Sequence, residues 1–140
     1  MSALIDTGIW SLALRRRRLQ LDGQQRDLVV EWRRLIEEGS AAMAGPIRQE
    51  LLSGIRALEQ FERVRANIAG LDCPTLLISD FDQAAIFYNH LRRKGISGGP
   101  IDLLICAIAY RQGWAIFTTD RDFERYARHL PIRLHRVGTS

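Results

Sequence analysis

Ala3-Leu4-Ile5-Asp6-Thr7-Gly8-Ile9-Trp10 passes from a short apolar run through a carboxylate and a turn into an amphipathic stretch, the order of strand, turn and helix. The same grammar returns late in the chain. Trp114-Ala115-Ile116-Phe117-Thr118-Thr119 is apolar and β-prone, and Asp120-Arg121-Asp122 then opens a helix carrying Phe123, Tyr126 and Ala127. Asp6 and Asp120 are therefore each expected just past the carboxyl end of a strand. In open α/β sheets ligands bind at that edge, where neighbouring strands send their connections to opposite faces. Two acids from opposite ends of the chain can meet there.

Working outward, the pattern predicts strands over 3–6, 40–44, 74–79, 114–118 and 132–136. Helices are predicted over 8–19, 22–38, 46–53, 54–69, 80–94, 100–112 and 121–129. This alternation calls for one α/β domain over 1–140, with a mainly parallel central sheet of about five strands layered by helices. Gly39-Ser40, Gly70 to Pro74, Gly95 to Pro100 and Gly113 punctuate the pattern, and none is long enough for an interdomain linker.

Two further acids come from helices. Pro100-Ile101-Asp102 begins a run from Leu103 to Ala109 that is apolar nearly all round, so Asp102 falls in the first turn of a buried helix. Glu50 lies one or two turns into the helix that Gly45-Pro46 starts. Singly, each aspartate has an ordinary use as a helix cap and Glu50 as a solvated residue. Together they call for something else. If several carboxylates converge, unit charges about 4 Å apart repel by about 4 kcal/mol at an effective dielectric near 20, so a cation is needed between them. No lysine follows Lys94, the single lysine of the chain, to serve as a fixed cation. A metal ion is the better expectation, and an all-oxygen donor set selects Mg²⁺ or Mn²⁺ over zinc.

Composition limits the alternatives. With 140 residues, 46% hydrophobic and 26% charged, the chain suits one core. No apolar run reaches the roughly 18 residues that span a bilayer, and Asp6 interrupts the only early apolar patch, so a cytoplasmic protein is expected. Cys73 and Cys106 show no paired spacing, and Cys106 reads as a small core residue. His90, His129 and His135 neighbour no expected site acid, which counts against a paired-histidine ribonuclease. The net charge of +4 is carried almost wholly by arginine, whose planar fork suits phosphate. Arg15 to Arg18 reads as a solvated helix end or a phosphate track. Trp32, with Leu28, Val29, Leu35 and Ile36, reads as core or a partner groove, and the helix around Phe81 to Leu91 as core or a dimer face.

Leu4-Ile5-Asp6-Thr7-Gly8, Arg48-Gln49-Glu50-Leu51-Leu52-Ser53-Gly54, Asp102-Leu103-Leu104-Ile105-Cys106-Ala107-Ile108-Ala109 and Phe117-Thr118-Thr119-Asp120-Arg121-Asp122-Phe123 stand in the order and spacing of a known family. The chain resembles PIN-domain ribonucleases, specifically the VapC toxins of bacterial VapBC toxin-antitoxin pairs. The resemblance implies a three-layer α/β/α fold, Mg²⁺- or Mn²⁺-dependent endoribonuclease activity on structured RNA such as tRNA or rRNA, and homodimerisation. It also implies inhibition by a VapB-like antitoxin, with DNA reached only through that antitoxin and no role for a membrane. Carried over by residue, the acidic site falls on Asp6, Glu50, Asp102 and Asp120, with Asp122 as a further acid and Thr7 and Thr119 as supporting hydroxyls. Two other readings stay open. One is a catalytically silent RNA- or protein-binding module of the same fold. The other is an aspartyl-phosphate domain, against which stand the missing late lysine and Thr7 in place of a second acid after Asp6.

Overall fold

A computed structural model describes residues 2–14 and 20–138; the arginine run Arg15 to Arg18 lies outside these residues. Four strands, β1 (Ala3–Ile5), β2 (Ala41–Ala42), β3 (Ala115–Phe117) and β4 (Arg133–Leu134), form one sheet in the order β2-β1-β3-β4. All its pairings are parallel, with Ala3 opposite both Ala41 and Ala115, and Ala115 opposite Arg133. β1 is buried along its whole length, as the centre of a sheet covered on both faces must be. The helices are α1 (Thr7–Leu14), α2 (Gly23–Glu37), α3 (Gly45–Leu52), α4 (Leu58–Ile68), α5 (Ile78–Arg93), α6 (Pro100–Gln112) and α7 (Asp122–His129). The result is the three-layer α/β/α architecture expected.

The strand order contains its own switch point. From β1 the chain crosses through α1 and α2 to β2 on one side, whereas from β3 it crosses through α7 to β4 on the other. The carboxyl ends of β1 and β3 therefore flank the crevice of the sheet. Asp6 leaves β1 there, its N–H donating to the Phe117 carbonyl at 2.9 Å and so prolonging the ladder by one residue.

One expected strand is absent. Residues 74–79 do not join the sheet, which has four strands rather than about five. The edge beyond β2 is met by a single bridge between Ala42 and Asp72, with Met43 N–H donating to the Asp72 carbonyl. Pro74 then has no N–H to offer. The polar groups that follow are taken elsewhere: Arg111 donates to the Thr75 carbonyl, and Leu77 N–H donates to Asp80 Oδ2 at 2.8 Å, which starts α5 at Ile78. Local capping and a long-range arginine win over weak strand propensity.

The remaining differences have local causes. α2 begins after Asp22, whose side chain accepts Gln25 N–H while Gln25 reaches back to Asp22 N–H, a capping box. α3 and α4 are separated at Gly54, which holds φ +87°, a conformation that costs glycine little. α6 is buried continuously from Leu103 to Ala109, as its unbroken apolar run requires, and Gly113 at φ +71° closes it. Trp10 is fully buried and meets Trp32 edge to face at 5.5 Å, so Trp32 packs against the core. On α5, Phe87 and Leu91 are buried, whereas Ile78, Phe81 and Ile86 are exposed, so that helix serves the core with one face only. No helix among the described residues is long and apolar enough to cross a membrane.

Candidate active site

Asp102, Asp120 and Asp122 each present a carboxylate oxygen such that the three atoms lie within 4.8 Å of one another. They come from three pieces of chain. Asp102 occupies the first turn of α6, which Pro100 starts; Asp120 sits in the loop after β3; Asp122 is the first residue of α7. Asp120 Oδ1 accepts the Asp122 N–H at 2.9 Å, a side-chain turn that sets the two acids side by side. The Asp120 and Asp122 carboxylates are open to solvent, and Asp102 is half-buried.

Asp6 is anchored beside this cluster. Its Oδ1 accepts Thr7 N–H at 2.8 Å, and its Oδ2 accepts the Thr118 hydroxyl at 2.7 Å. Thr118 Oγ1 in turn accepts Asp120 N–H at 3.0 Å. One hydroxyl thus joins the acid after β1 to the acid after β3. Gly8 lets α1 approach this loop closely, since a Cβ there would stand 2.7 Å from Thr119 Oγ1 and force that side chain to shift.

Burial raises the proton affinity of Asp102 above the ordinary carboxylate range, the Tyr126 hydroxyl at 3.1 Å from Oδ2 opposes this, and the charges of Asp120, Asp6 and Asp122 add to the rise. Burial and the Asp102 charge push the Tyr126 phenol well above its usual value, so Tyr126 stays protonated and donates. Cys106, one turn along α6 from Asp102, is held as a neutral thiol by burial and then by the Asp102 and Asp6 charges. It is no thiolate ligand.

The donor chemistry fits a hard divalent cation: the clustered atoms are carboxylate oxygens, with no imidazole or thiolate among them. Asp102, Asp120 and Asp122 would hold it. Three carboxylates so close repel strongly, and a divalent charge removes that cost.

The expected acids do not all meet. Asp6, Asp102 and Asp120 come to one edge, and Asp122 joins them fully. Glu50 stands outside the cluster, exposed on α3 and lining a neighbouring cleft with Gln49, Ser53, Phe81 and Ile101. Its placement follows from packing, since α3 buries Ile47 and Leu51 and turns Glu50 outward. Of the expected hydroxyls, Thr7 contributes its backbone N–H while its Oγ1 is buried without a partner, and Thr119 packs against Gly8. Thr118 and Tyr126 hold the acids instead. The sequence does not separate Thr118 from Thr119, and for Tyr126 the helical period gave only burial.

Comparison with known proteins places these features. The family model of the PIN domain matches residues 3–129. Over 105 residues, 71% of this chain and 77% of the relative, the chain is 39% identical to Ribonuclease VapC11 of Mycobacterium tuberculosis and, over the same shares, to VapC ribonuclease Mb1587 of Mycobacterium bovis. VapBC2 of Rickettsia felis, bound to a DNA fragment from its promoter, superposes with a TM-score of 0.74 at 18% identity, covering 96% of this chain and 98% of that one. The sarcin-ricin-loop-cleaving toxin VapC20 of Mycobacterium tuberculosis superposes with a TM-score of 0.66 at 14% identity, covering 94% and 99%. At such identities the structural likeness speaks for the fold, and the family model and the 39% relatives speak for kinship. With a switch-point acid cluster on this fold and a family match from β1 to the end of α7, the chain belongs to the PIN-domain family, among its VapC ribonucleases.

Proposed function

We propose that the protein is the toxin of a type II toxin-antitoxin pair, a cytoplasmic endoribonuclease that uses Mg²⁺ or Mn²⁺ to hydrolyse phosphodiester bonds in structured RNA such as tRNA or rRNA. The observation that carries this reading is the meeting of Asp102, Asp120 and Asp122 within 4.8 Å beside Asp6 at the sheet's switch point. The ribonuclease names of the 39% relatives support the reaction class. A VapB-like antitoxin is the proposed partner, supported by the VapBC complexes that share the fold, and DNA would be reached through it. The exposed apolar side chains Ile78, Phe81, Ile86 and Ile101 support a homodimer.

When bound, the divalent cation supplies the positive charge that polarises the scissile phosphodiester and activates water. The residues of the chain supply position and protonation state. Thr118 holds Asp6 and the Asp120 backbone in one register, so the acids need not reorganise as charge develops. Tyr126 donates to Asp102 and stabilises its charged form against the burial that opposes it.

The test is purified protein with a panel of transfer and ribosomal RNAs, with Mn²⁺ and with chelator. Cleavage that requires the divalent ion and leaves 5′-phosphate and 3′-hydroxyl ends supports the reading, because water rather than the RNA 2′-hydroxyl attacks. Chelator-resistant cleavage, or a cyclic phosphate, contradicts it. A silent binding module has one observation in its favour: the Asp120 turn and the Asp122–Arg125 ion pair at 2.8 Å give both acids local structural work. That alternative predicts RNA binding with no products at any ion concentration.

A further inference from the structure

The clefts around the acid cluster differ in chemistry. Towards α5 and α6, the cleft lined by Glu50 is otherwise walled by Pro46, Leu76, Phe81 and other uncharged residues, and the adjoining groove of about 440 Å³ has no charged lining residue. Neither offers a polyanion a cation. A separate cleft of about 690 Å³ is lined by Thr118, whose hydroxyl touches Asp6 and Asp120, by Arg121, and by Ser11, Gln24 and Gln25. Its size is that of a small-ligand site, and its walls are hydrogen-bonding.

The charges lining this second cleft are already sorted. Asp22 is committed to capping α2, accepting Gln25 N–H at 2.8 Å, and Glu124 is held by Arg136 at 2.6 and 3.0 Å. Arg121 is different. It is exposed, and its guanidinium makes no hydrogen bond or ion pair among the described residues, although Asp120 and Asp122 flank it in sequence. An unengaged guanidinium next to a carboxylate cluster is costly to neither neighbour in solvent and is available to a phosphate.

Resting on the nuclease reading, we propose that this cleft is the subsite for the single-stranded RNA segment next to the scissile phosphate, with Arg121 as the residue that positions the adjoining phosphate. The two clefts without a cation take no part in holding the strand. Contact between a cationic side chain and a backbone phosphate is one part of how single strands are held. Arg121 binds the flank, and the acids meet the bond.

The experiment uses the Asp102→Asn chain, expected to bind without cutting, and adds Arg121→Gln or Arg121→Lys. Binding of a fluorescein-labelled RNA of about ten nucleotides is followed by anisotropy over a salt series. Arg121→Gln is expected to weaken binding roughly tenfold at low salt and to make the slope of log affinity on log salt shallower by about 0.7, the contribution of one phosphate on a single strand. Arg121→Lys is expected to restore the slope. Photocrosslinks from 4-thiouridine in the same RNA should fall on Ser11, Gln24 or Gln25. Unchanged affinity and slope in Arg121→Gln, crosslinks at Phe81 or Ile101, or no RNA binding would each overturn the assignment. The nuclease reading fails by a different result, a wild-type chain that binds RNA through Arg121 and cuts nothing with Mn²⁺.

Discussion

Thr118 and Asp6, 112 residues apart in the chain, are joined by a 2.7 Å hydrogen bond from hydroxyl to carboxylate, and the same hydroxyl accepts the backbone N–H of Asp120 at 3.0 Å. This contact spans the switch point between β1 and β3. It converts two separate loop ends into one rigid acidic edge.

Thr118→Val tests the tie. The side chain keeps its shape and loses both the donor to Asp6 and the acceptor for Asp120. RNA cleavage at fixed Mn²⁺ is expected to fall about 10- to 100-fold, the usual cost of losing an outer partner of metal-binding side chains. Stability measured by urea unfolding should drop by only about 1–2 kcal/mol. Wild-type cleavage in this variant would remove Thr118 from the site.

Tyr126→Phe leaves packing intact, since the ring stays and only the hydroxyl goes. Asp102 already has a raised proton affinity through burial, and Tyr126 works against that rise. Removing the donor therefore raises the Asp102 pKa further. Because the carboxylate is the form that works, the acid limb of the cleavage profile should move to higher pH while the alkaline side stays in place. A shift to lower pH would contradict the assignment.

Much of this site was legible before any coordinates. Asp6 and Asp120 follow apolar strands, and the start signal Pro100 put Asp102 in the first turn of a helix; local pattern sufficed because each acid sits at an element boundary that its own sequence marks. Glu50 was harder. Its helix was evident, but which face of α3 turns inward is decided by Ile47 and Leu51 finding the core. Thr118 and Thr119 are equal in sequence, and only the pairing of β3 with β1 selects the first for Asp6. The strand expected over 74–79 failed for a related reason, because Arg111, distant in sequence, claims the carbonyl of Thr75 and the carboxylate of Asp80.

That arginine gives a stability prediction. Asp80 is buried to 1% exposure and accepts Arg111 Nε at 2.6 Å, Arg111 NH2 at 3.0 Å and Leu77 N–H at 2.8 Å. Arg111 holds the Asp80 carboxyl below its usual range. Arg111→Ala should cost about 3–5 kcal/mol in urea unfolding, since it leaves the buried Asp80 carboxylate without its cationic partner. A loss under about 1 kcal/mol would show the pair to be dispensable.

Glu31 contributes to the pH dependence of folding. Its carboxylate accepts Arg34 at 2.6 and 2.7 Å and also meets His135, and Arg34 chiefly lowers its pKa to about 2 against the burial that raises it. A depressed folded-state pKa stabilises above the unfolded value near 4.3 and is lost as pH falls towards 2. Wild-type protein should therefore lose on the order of 2–3 kcal/mol between about pH 5 and 2 that Glu31→Gln does not lose. Parallel pH curves for the two chains would refute this.

The central claim is that Asp102, Asp120 and Asp122 form one divalent-cation site, and titration of Mn²⁺ into the purified chain, read by the loss of free-ion paramagnetic resonance signal, tests it most directly. The wild-type chain should bind the ion, and Asp102→Asn and Asp120→Asn should each bind it at least tenfold more weakly while keeping the wild-type circular dichroism. Equal Mn²⁺ affinity in all three chains would contradict the account.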